Sequence, residues 1–363
     1  MINKFIYLDS KISGALKQLI NYFDTNIFIK EDTIVIIKLY EENHFFFKEL
    51  IKNNIQFIKV EQYSDLPSLK NSIIFYLFNA QSNCRLVAYR EAKHIFVTHG
   101  ESNKVSSIKP ILRIYDYVIV AGDMGILRLL SSNIFTQCDR DNSKIIKMGN
   151  TFIGEASYHY NADSDTILYA PTWEGGIKEE NYSSINNNLE SFKFISQYAK
   201  QLNIKTIIIQ PHPNTGHRNL KYLFYLFQGI KYLQKEFEVK ITHWESNYKQ
   251  KIALYFLSKK YFQKIENISY AFCDVSAMEV QLLDKNIPTF VFFNEIKVIL
   301  PNNKFLKEYY QNIGIYNFES KLLVDKKLQE KIKNLYICYE KDFLEKSNKT
   351  TALNWLCKKV FID

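Results

Sequence analysis

At 363 residues the chain is longer than one hydrophobic core usually sustains, and its 47% hydrophobic and 23% charged residues exclude a disordered chain, so two globular domains are expected. The net charge of +9 suits anionic partners such as nucleotides, polyphosphates, anionic glycans or a lipid surface. No run approaches the roughly 20 apolar residues of a membrane span, MINKFIYLDSKISG lacks a signal core with a cleavage site, and five scattered cysteines without a C-x-x-C pair argue against disulfides or a zinc cage; a cytoplasmic chain is expected.

Short apolar runs alternate with helix-length segments from the start. FIYLDS, TIVIIKL (33–39), IQFIKV (55–60), SIIFYLF (72–78), HIFVTHG (94–100), YVIVAG (117–122) and KIIKMG (144–149) read as strands, with helices such as 41–53 and 123–132 between them. Runs apolar on both faces require a sheet covered on both sides, which is the doubly wound α/β pattern. NTFIGEASYHYNADSD (150–165) is polar and aperiodic and reads as an interdomain linker. A second set follows: TILYAPT (166–172), KTIIIQPHP (205–213), EVKITHW (238–244), ISYAFCD (268–274) and IPTFVFF (287–293), with helices at about 187–202, 217–236, 247–258 and 276–285. Helix dominates from about 300 onward. The expected domains are 1–155, 156–345 and a C-terminal helix, 346–363, packing back on the first.

Ligands of open parallel sheets sit beyond the carboxyl ends of the strands. Four polar clusters, THGESNK, APTWEGG, QPHPNTGHR and CDVSAMEV, follow strands directly, so they are the candidate site. In the first, His99 can take a proton near neutral pH, Gly100 admits close backbone approach and Lys104 can meet a phosphate, although His99 could equally cap a helix. In the third, His212 lies between Pro211 and Pro213 on a rigid strand end; Asn214 or Thr215 could cap the following helix, and His217 and Arg218 read as its first-turn residues with an outside role at phosphate. In the fourth, Asp274 and Ser276 open a helix whose N-terminus can hold a diphosphate, while either could simply cap it; Glu279, one turn on, can take nucleotide hydroxyls or sit on a solvated face. Thr172 and Trp173 end the second domain's first strand, and Trp173 either stacks on a ligand or packs. His44, His94, His159 and His243 read as structural, and the lysine-rich stretches 228–260 and 321–349 as solvated helix faces.

No P-loop, G-x-G-x-x-G, H-E-x-x-H or G-x-S-x-G string occurs, which removes the main support for kinase, dehydrogenase, zinc protease and ordinary hydrolase readings.

Taken in order, VTHGESNK, YAPTW, QPHPN and CDVSAMEVQLLDKNIPTFVF resemble the CDP-glycerol glycerophosphotransferase family of teichoic-acid primases, polymerases and related capsule enzymes, over residues 94 to 293. The resemblance implies a GT-B fold, two facing Rossmann-like domains with the donor in the C-terminal one. It implies His99 as general base toward the acceptor hydroxyl and His212 at the donor phosphates or departing CMP. Gly100, Lys104, Thr172, Pro213, Asn214, Asp274, Ser276 and Glu279 become donor and phosphate contacts, with Trp173, His217 and Arg218 as further candidates. Ala277 stands where the family's T-D-Y-S-S string has its second serine, so one phosphate-binding hydroxyl is missing and the donor's identity is open.

The implied reaction transfers glycerol phosphate, or another alditol phosphate, from a CDP-alditol donor to a hydroxyl on a glycan or lipid-linked saccharide, releasing CMP. The family's polymerases carry a long additional region absent from this chain, which favours a primase, linker or capsule transferase. No metal ligand set is evident, and Mg is the only cofactor left open. Contact with an anionic inner membrane surface fits the charge; nucleic acid has no recognition motif in its favour. The rivals are a GT-B glycosyltransferase using a nucleotide sugar and a non-catalytic nucleotide- or polyanion-binding protein.

Overall fold

The structure, a computed structural model, describes residues 3–11, 13–97, 100–148, 158–242, 261–262, 266–293, 310–311, 314–315 and 357. The chain divides into two compact units, one of Met1–Glu101, Ile108–Ile153 and Tyr339–Asp363, the other of Ser102–Ser107 and Gly154–Cys338. The short stretch Ser102–Ser107 therefore belongs to the second unit although both of its flanks belong to the first.

The first unit is built on a seven-stranded parallel sheet: β1 (Asn3–Leu8), β2 (Thr33–Lys38), β3 (Phe57–Val60), β4 (Ser72–Tyr76), β5 (Lys93–Phe96), β6 (Tyr117–Val120) and β7 (Ile145–Lys147), in the order β3-β2-β1-β4-β5-β6-β7. Its helices are α1 (Ser13–Asp24), α2 (Phe45–Lys52), α3 (Cys84–Val87), α4 (Asp123–Ser131) and α5 (Gln137–Asp141). Alternate residues of one strand serve opposite faces. Ile6 and Leu8 of β1, with Ile73 and Phe75 of β4, join Leu16, Leu19, Phe46 and Leu50 of α1 and α2. Phe5, Tyr7, Ile74 and Tyr76 join Leu86, Ile126 and Leu129 of α3 and α4 on the other side. Two apolar faces explain why these strands read as unbroken hydrophobic runs, each large side chain contributing about 1.5–3 kcal/mol on burial.

The second unit repeats the plan. Strands β9 (Thr166–Ala170), β10 (Thr206–Ile209), β11 (Glu238–Thr242), β12 (Tyr261–Phe262), β14 (Tyr270–Asp274), β15 (Thr289–Phe292) and β16 (Gly314–Ile315) form a parallel sheet in the order β12-β11-β10-β9-β14-β15-β16. Helices α6 (Glu190–Gln201), α7 (Lys221–Leu233) and α8 (Ala277–Asp284) accompany it. Leu223, Leu226, Ile230 and Leu233 recur at helical spacing on the buried face of α7. Gly229 lies against the Phe192 ring of α6, where a Cβ would come within 2.4 Å of ring carbons, so only glycine permits this helix pair to approach so closely.

Each expected strand is found, usually a residue or two shorter. The polar segment read as a linker differs. Tyr158–Tyr160 forms a strand, β8, paired in parallel with β13 (Glu266–Ile268), because its backbone finds a partner over a hundred residues away. The helix expected at 217–236 starts only at Lys221, so His217 and Arg218 are turn residues and Leu220, not Asn214 or Thr215, holds the N-cap position. The segments 247–258 and most of that beyond 300 lie outside the described residues. Among the described residues no helix is long and apolar enough to cross a membrane, and Cys84, Cys138, Cys273 and Cys357 are free thiols.

Candidate functional site

Strand order puts three of the four polar clusters on one rim. β10, β9 and β14 are adjacent and parallel, so the segments after them, at 210–219, 171–176 and 275–279, leave the sheet side by side. The chain reverses its winding direction between β9 and β14, the switch point at which open α/β sheets take ligands.

Asp274 ties the two strands together across that point. Its buried carboxylate accepts the Thr172 N–H at 2.7 Å and the Ser184 N–H at 3.2 Å, and so organises loop backbone instead of capping α8. Burial pushes this carboxyl up to about 7, against the pull of the Ser184 and Thr172 bonds and the Lys104 charge. Lys104, from the first cluster, reaches into the same place: its Nζ donates to Thr172 Oγ1 at 2.9 Å and lies 5.3 Å from the centre of the Tyr182 ring. Burial pushes the ammonium down to about 8, with Asp274 and Glu180 opposing. The Val105 N–H donates to Tyr182 Oη at 2.9 Å, securing the stretch in the second unit.

Ser276 occupies the N-cap of α8 with extended backbone, φ −163° and ψ 174°, yet its side chain makes no cap bond. The residue is 8% exposed and its Oγ has no partner among the described residues. A buried hydroxyl left so costs about 1–3 kcal/mol, and here it adjoins the helix N–H groups that remain without intrahelical acceptors. Hydroxyl and helix dipole together are suited to an anion. Glu279, one turn on, is buried at 2% exposure, not solvated, and its Oε1 accepts the Tyr310 hydroxyl at 2.6 Å.

His212 is fixed by its backbone and by its ring. Its N–H donates to the Pro171 carbonyl at 3.2 Å, and its Nδ1 accepts the Asn214 N–H at 3.1 Å, so the neutral ring carries its proton on Nε2. Trp173 stacks on His212, ring centres 5.8 Å apart at 14°, and on His217 at 6.5 Å and 22°, which makes it a wall between two imidazoles.

The clamp of this loop is a residue that motif reading passed over. Glu174 is fully buried; Oε2 accepts the Gly216 N–H and Oε1 the Arg218 and Asn219 N–H groups, each at 3.0 Å, while the Arg218 guanidinium returns to the Glu174 carbonyl at 2.7 Å. This carboxylate holds 214–219 as a turn and delays the start of α7. Gly216 sits at φ +79° within it and Gly175 at φ +73° beside Glu174, the left-handed region that glycine enters without strain. An acid between tryptophan and paired glycines was the available signal. Pro213 is exposed beside His212.

His99 lies outside the described residues, as does His243. Gly100, next to it, has φ 141°. In the first unit Glu101 accepts both Nη1 (3.0 Å) and Nη2 (2.8 Å) of buried Arg128, and its Oε1 takes the Ala121 N–H at 2.9 Å, so the segment after β5 is anchored to the end of β6 and to α4. His94 is structural: Nε2 donates to the Tyr89 carbonyl at 2.9 Å, Nδ1 accepts the Tyr76 hydroxyl at 2.8 Å, and burial lowers its pKa. His159 is exposed on β8, and His44 edges onto Phe47. Among the described residues no three His, Cys, Asp or Glu side chains are grouped to hold a metal.

No family model matches the sequence, and no curated protein matches it. Solved structures do. The UDP-GlcNAc 2-epimerase from Neisseria meningitidis bound to UDP-GlcNAc is similar at 11% identity and TM-score 0.50, covering 100% of both chains. A variant of the wall teichoic acid polymerase TagF soaked with CDPG is similar at 13% identity and TM-score 0.50, covering 99% of this chain and 88% of that one. Anabaena Alr3699/HepE in complex with UDP-glucose follows at 10% identity and TM-score 0.49, with full coverage of both. At these identities the likeness shows the fold: two Rossmann-like units of the GT-B class.

Proposed function

We propose that the chain is a transferase that moves glycerol phosphate, or another alditol phosphate, from a CDP-alditol to a hydroxyl of a glycan or lipid-linked saccharide in the synthesis of a teichoic-acid-like or capsular polymer. One observation carries the reading: the buried Ser276 hydroxyl, without a partner among the described residues, stands at the N-terminus of α8, on the rim where β14 neighbours the β9 that leads to the Lys104–Thr172 pair and β9 neighbours the β10 that leads to His212. That set suits a pyrophosphate better than any uncharged ligand. In this reading Glu279, buried one turn along α8, takes the ribose hydroxyls.

In this reaction the acceptor oxygen bonds to the β-phosphorus as the bond from that phosphorus to the bridging oxygen of CMP breaks. The hydroxyl proton passes to His99, the base the sequence resemblance implies. Negative charge accumulates on the departing phosphate, where the Nε2–H of His212, the Lys104 ammonium and the α8 amides stabilise it. Likeness to a TagF variant soaked with CDPG supports a CDP-linked donor; likeness at the same TM-score to an epimerase bound to UDP-GlcNAc supports the second reading, a GT-B glycosyltransferase using a nucleotide sugar. Ala277, replacing a serine of the family string, weighs on the same side.

The test is nucleotide release. With CDP-glycerol, CDP-ribitol and UDP- and GDP-sugars offered alongside lipid-linked and capsular acceptors, CMP is expected from the CDP-alditols and is lost in His212→Ala. Release of UDP or GDP instead moves the chain to the glycosyltransferases; no release from any donor overturns both readings.

A further inference from the structure

Asn103, Tyr310 and Glu279 form a buried relay in the second unit. Asn103, 1% exposed, donates from Nδ2 to the Tyr310 hydroxyl at 2.7 Å, and that hydroxyl donates to Glu279 Oε1 at 2.6 Å. The direction is fixed by chemistry. A phenol has one hydrogen, and the carboxylate can only accept it; the Asn103 group facing the phenol oxygen must therefore be the NH₂. The Asn103 carbonyl oxygen faces elsewhere, buried and without a partner among the described residues. Tyr310 is itself held, its ring stacked on Phe293 with centres 4.8 Å apart at 18°.

Two buried oxygens without a partner among the described residues, Asn103 Oδ1 and Ser276 Oγ, thus belong to residues tied to one buried carboxylate, Asn103 through the Tyr310 hydroxyl and Ser276 as the N-cap of the helix that carries Glu279. Ser276 adjoins the anion-binding helix end, and Glu279 follows by three residues, about 4.5 Å along the axis. In a nucleoside diphosphate the group next to the phosphates is the ribose, whose hydroxyls are the donors a carbonyl oxygen and a carboxylate accept. We propose that Asn103 is a ribose-reading residue of the donor site, and that Tyr310 is a positioning residue that fixes both the Asn103 amide and the Glu279 carboxylate. The inference rests on the donor reading above and adds to it the group that discriminates ribo- from deoxyribonucleotides.

Calorimetric titration of the full chain with CDP and 2′-deoxy-CDP, and with UDP and 2′-deoxy-UDP, tests it. The wild-type chain is expected to prefer the ribonucleotide about tenfold or more, the size of one hydrogen bond to a charged or buried group. Asn103→Ala and Tyr310→Phe should bind the ribonucleotide several-fold more weakly and the deoxynucleotide unchanged, bringing the ratio toward one. Tyr310→Phe keeps the ring on Phe293, so it carries the test if Asn103→Ala fails to fold. A ratio unchanged in variants that still bind overturns the relay while leaving the donor reading intact; wild-type protein that binds none of the four nucleotides overturns both.

Discussion

Replacing Glu174 by Gln should unfasten the turn that carries His212. The carboxylate accepts three backbone N–H groups, those of Gly216, Arg218 and Asn219, all at 3.0 Å. Glutamine retains one acceptor oxygen, which can keep the Arg218 and Asn219 bonds, but turns its NH₂ toward the buried Gly216 N–H, donor against donor. One charge-assisted bond is lost, typically about 1.5–3 kcal/mol, and the other two lose their charge. Water can reach Arg218 and Asn219, which are exposed, and offsets part of their share. The expected cost is about 2–3 kcal/mol, with Glu174→Ala at the upper end or beyond it. Urea unfolding followed by tryptophan fluorescence reports directly, since Trp173 is the preceding residue. Donor affinity should fall with stability, because the turn fixes the ring to which Asn214 donates. A Gln variant within about 0.5 kcal/mol of wild type and undiminished in nucleotide binding would refute the clamp.

Stability should depend on pH through the Asp274–Lys104 pair. Asp274 is raised from 3.8 to about 7 in the fold, so its contribution is complete below about pH 4 and is lost as pH rises to 7, roughly 4 kcal/mol at 1.36 per tenfold. Lys104 is lowered from 10.5 to about 8, so its contribution is present above pH 10.5 and is lost as pH falls through 8. In urea titrations from pH 5 to 8, Asp274→Asn should gain on wild type as pH rises, whatever its offset; a constant difference refutes the assignment. Gly216→Ala is expected to lower the unfolding free energy by about 2 kcal/mol or more, seen as a lower urea midpoint, because its Cβ would meet Leu223 Cγ at 2.4 Å at a φ of +79°; an unchanged midpoint counts against it.

The sheets were legible because parallel strands covered on both faces leave a run of apolar residues that nothing else in a polar chain imitates, as SIIFY and TIII do. Three of the four polar clusters could be placed on one rim by the same logic, since chain direction is shared along a parallel sheet. The start of α7 was not legible: HRNLKYLF is good helix material, and only a carboxylate more than 40 residues earlier holds its first part open. Strand β8 was hidden for a related reason, as three residues in a polar stretch carry no period, and their partner Glu266–Ile268 supplies the order. Tyr310 had no local signal, because its importance is a hydroxyl shared with two residues far apart in the chain.

The six residues Ser102–Ser107 have a consequence for how the gene can be dissected. They lie in the first half of the coding sequence but are built into the second unit, supplying Asn103 to Tyr310, Lys104 to Thr172 and the Val105 amide to Tyr182. A fragment begun after β7 would carry every described strand of the second sheet and still lack Lys104, whose charge opposes the upward shift that burial imposes on Asp274. The second unit is thus discontinuous in sequence, and a chimera that exchanges 154–338 between relatives must carry 102–107 along with it.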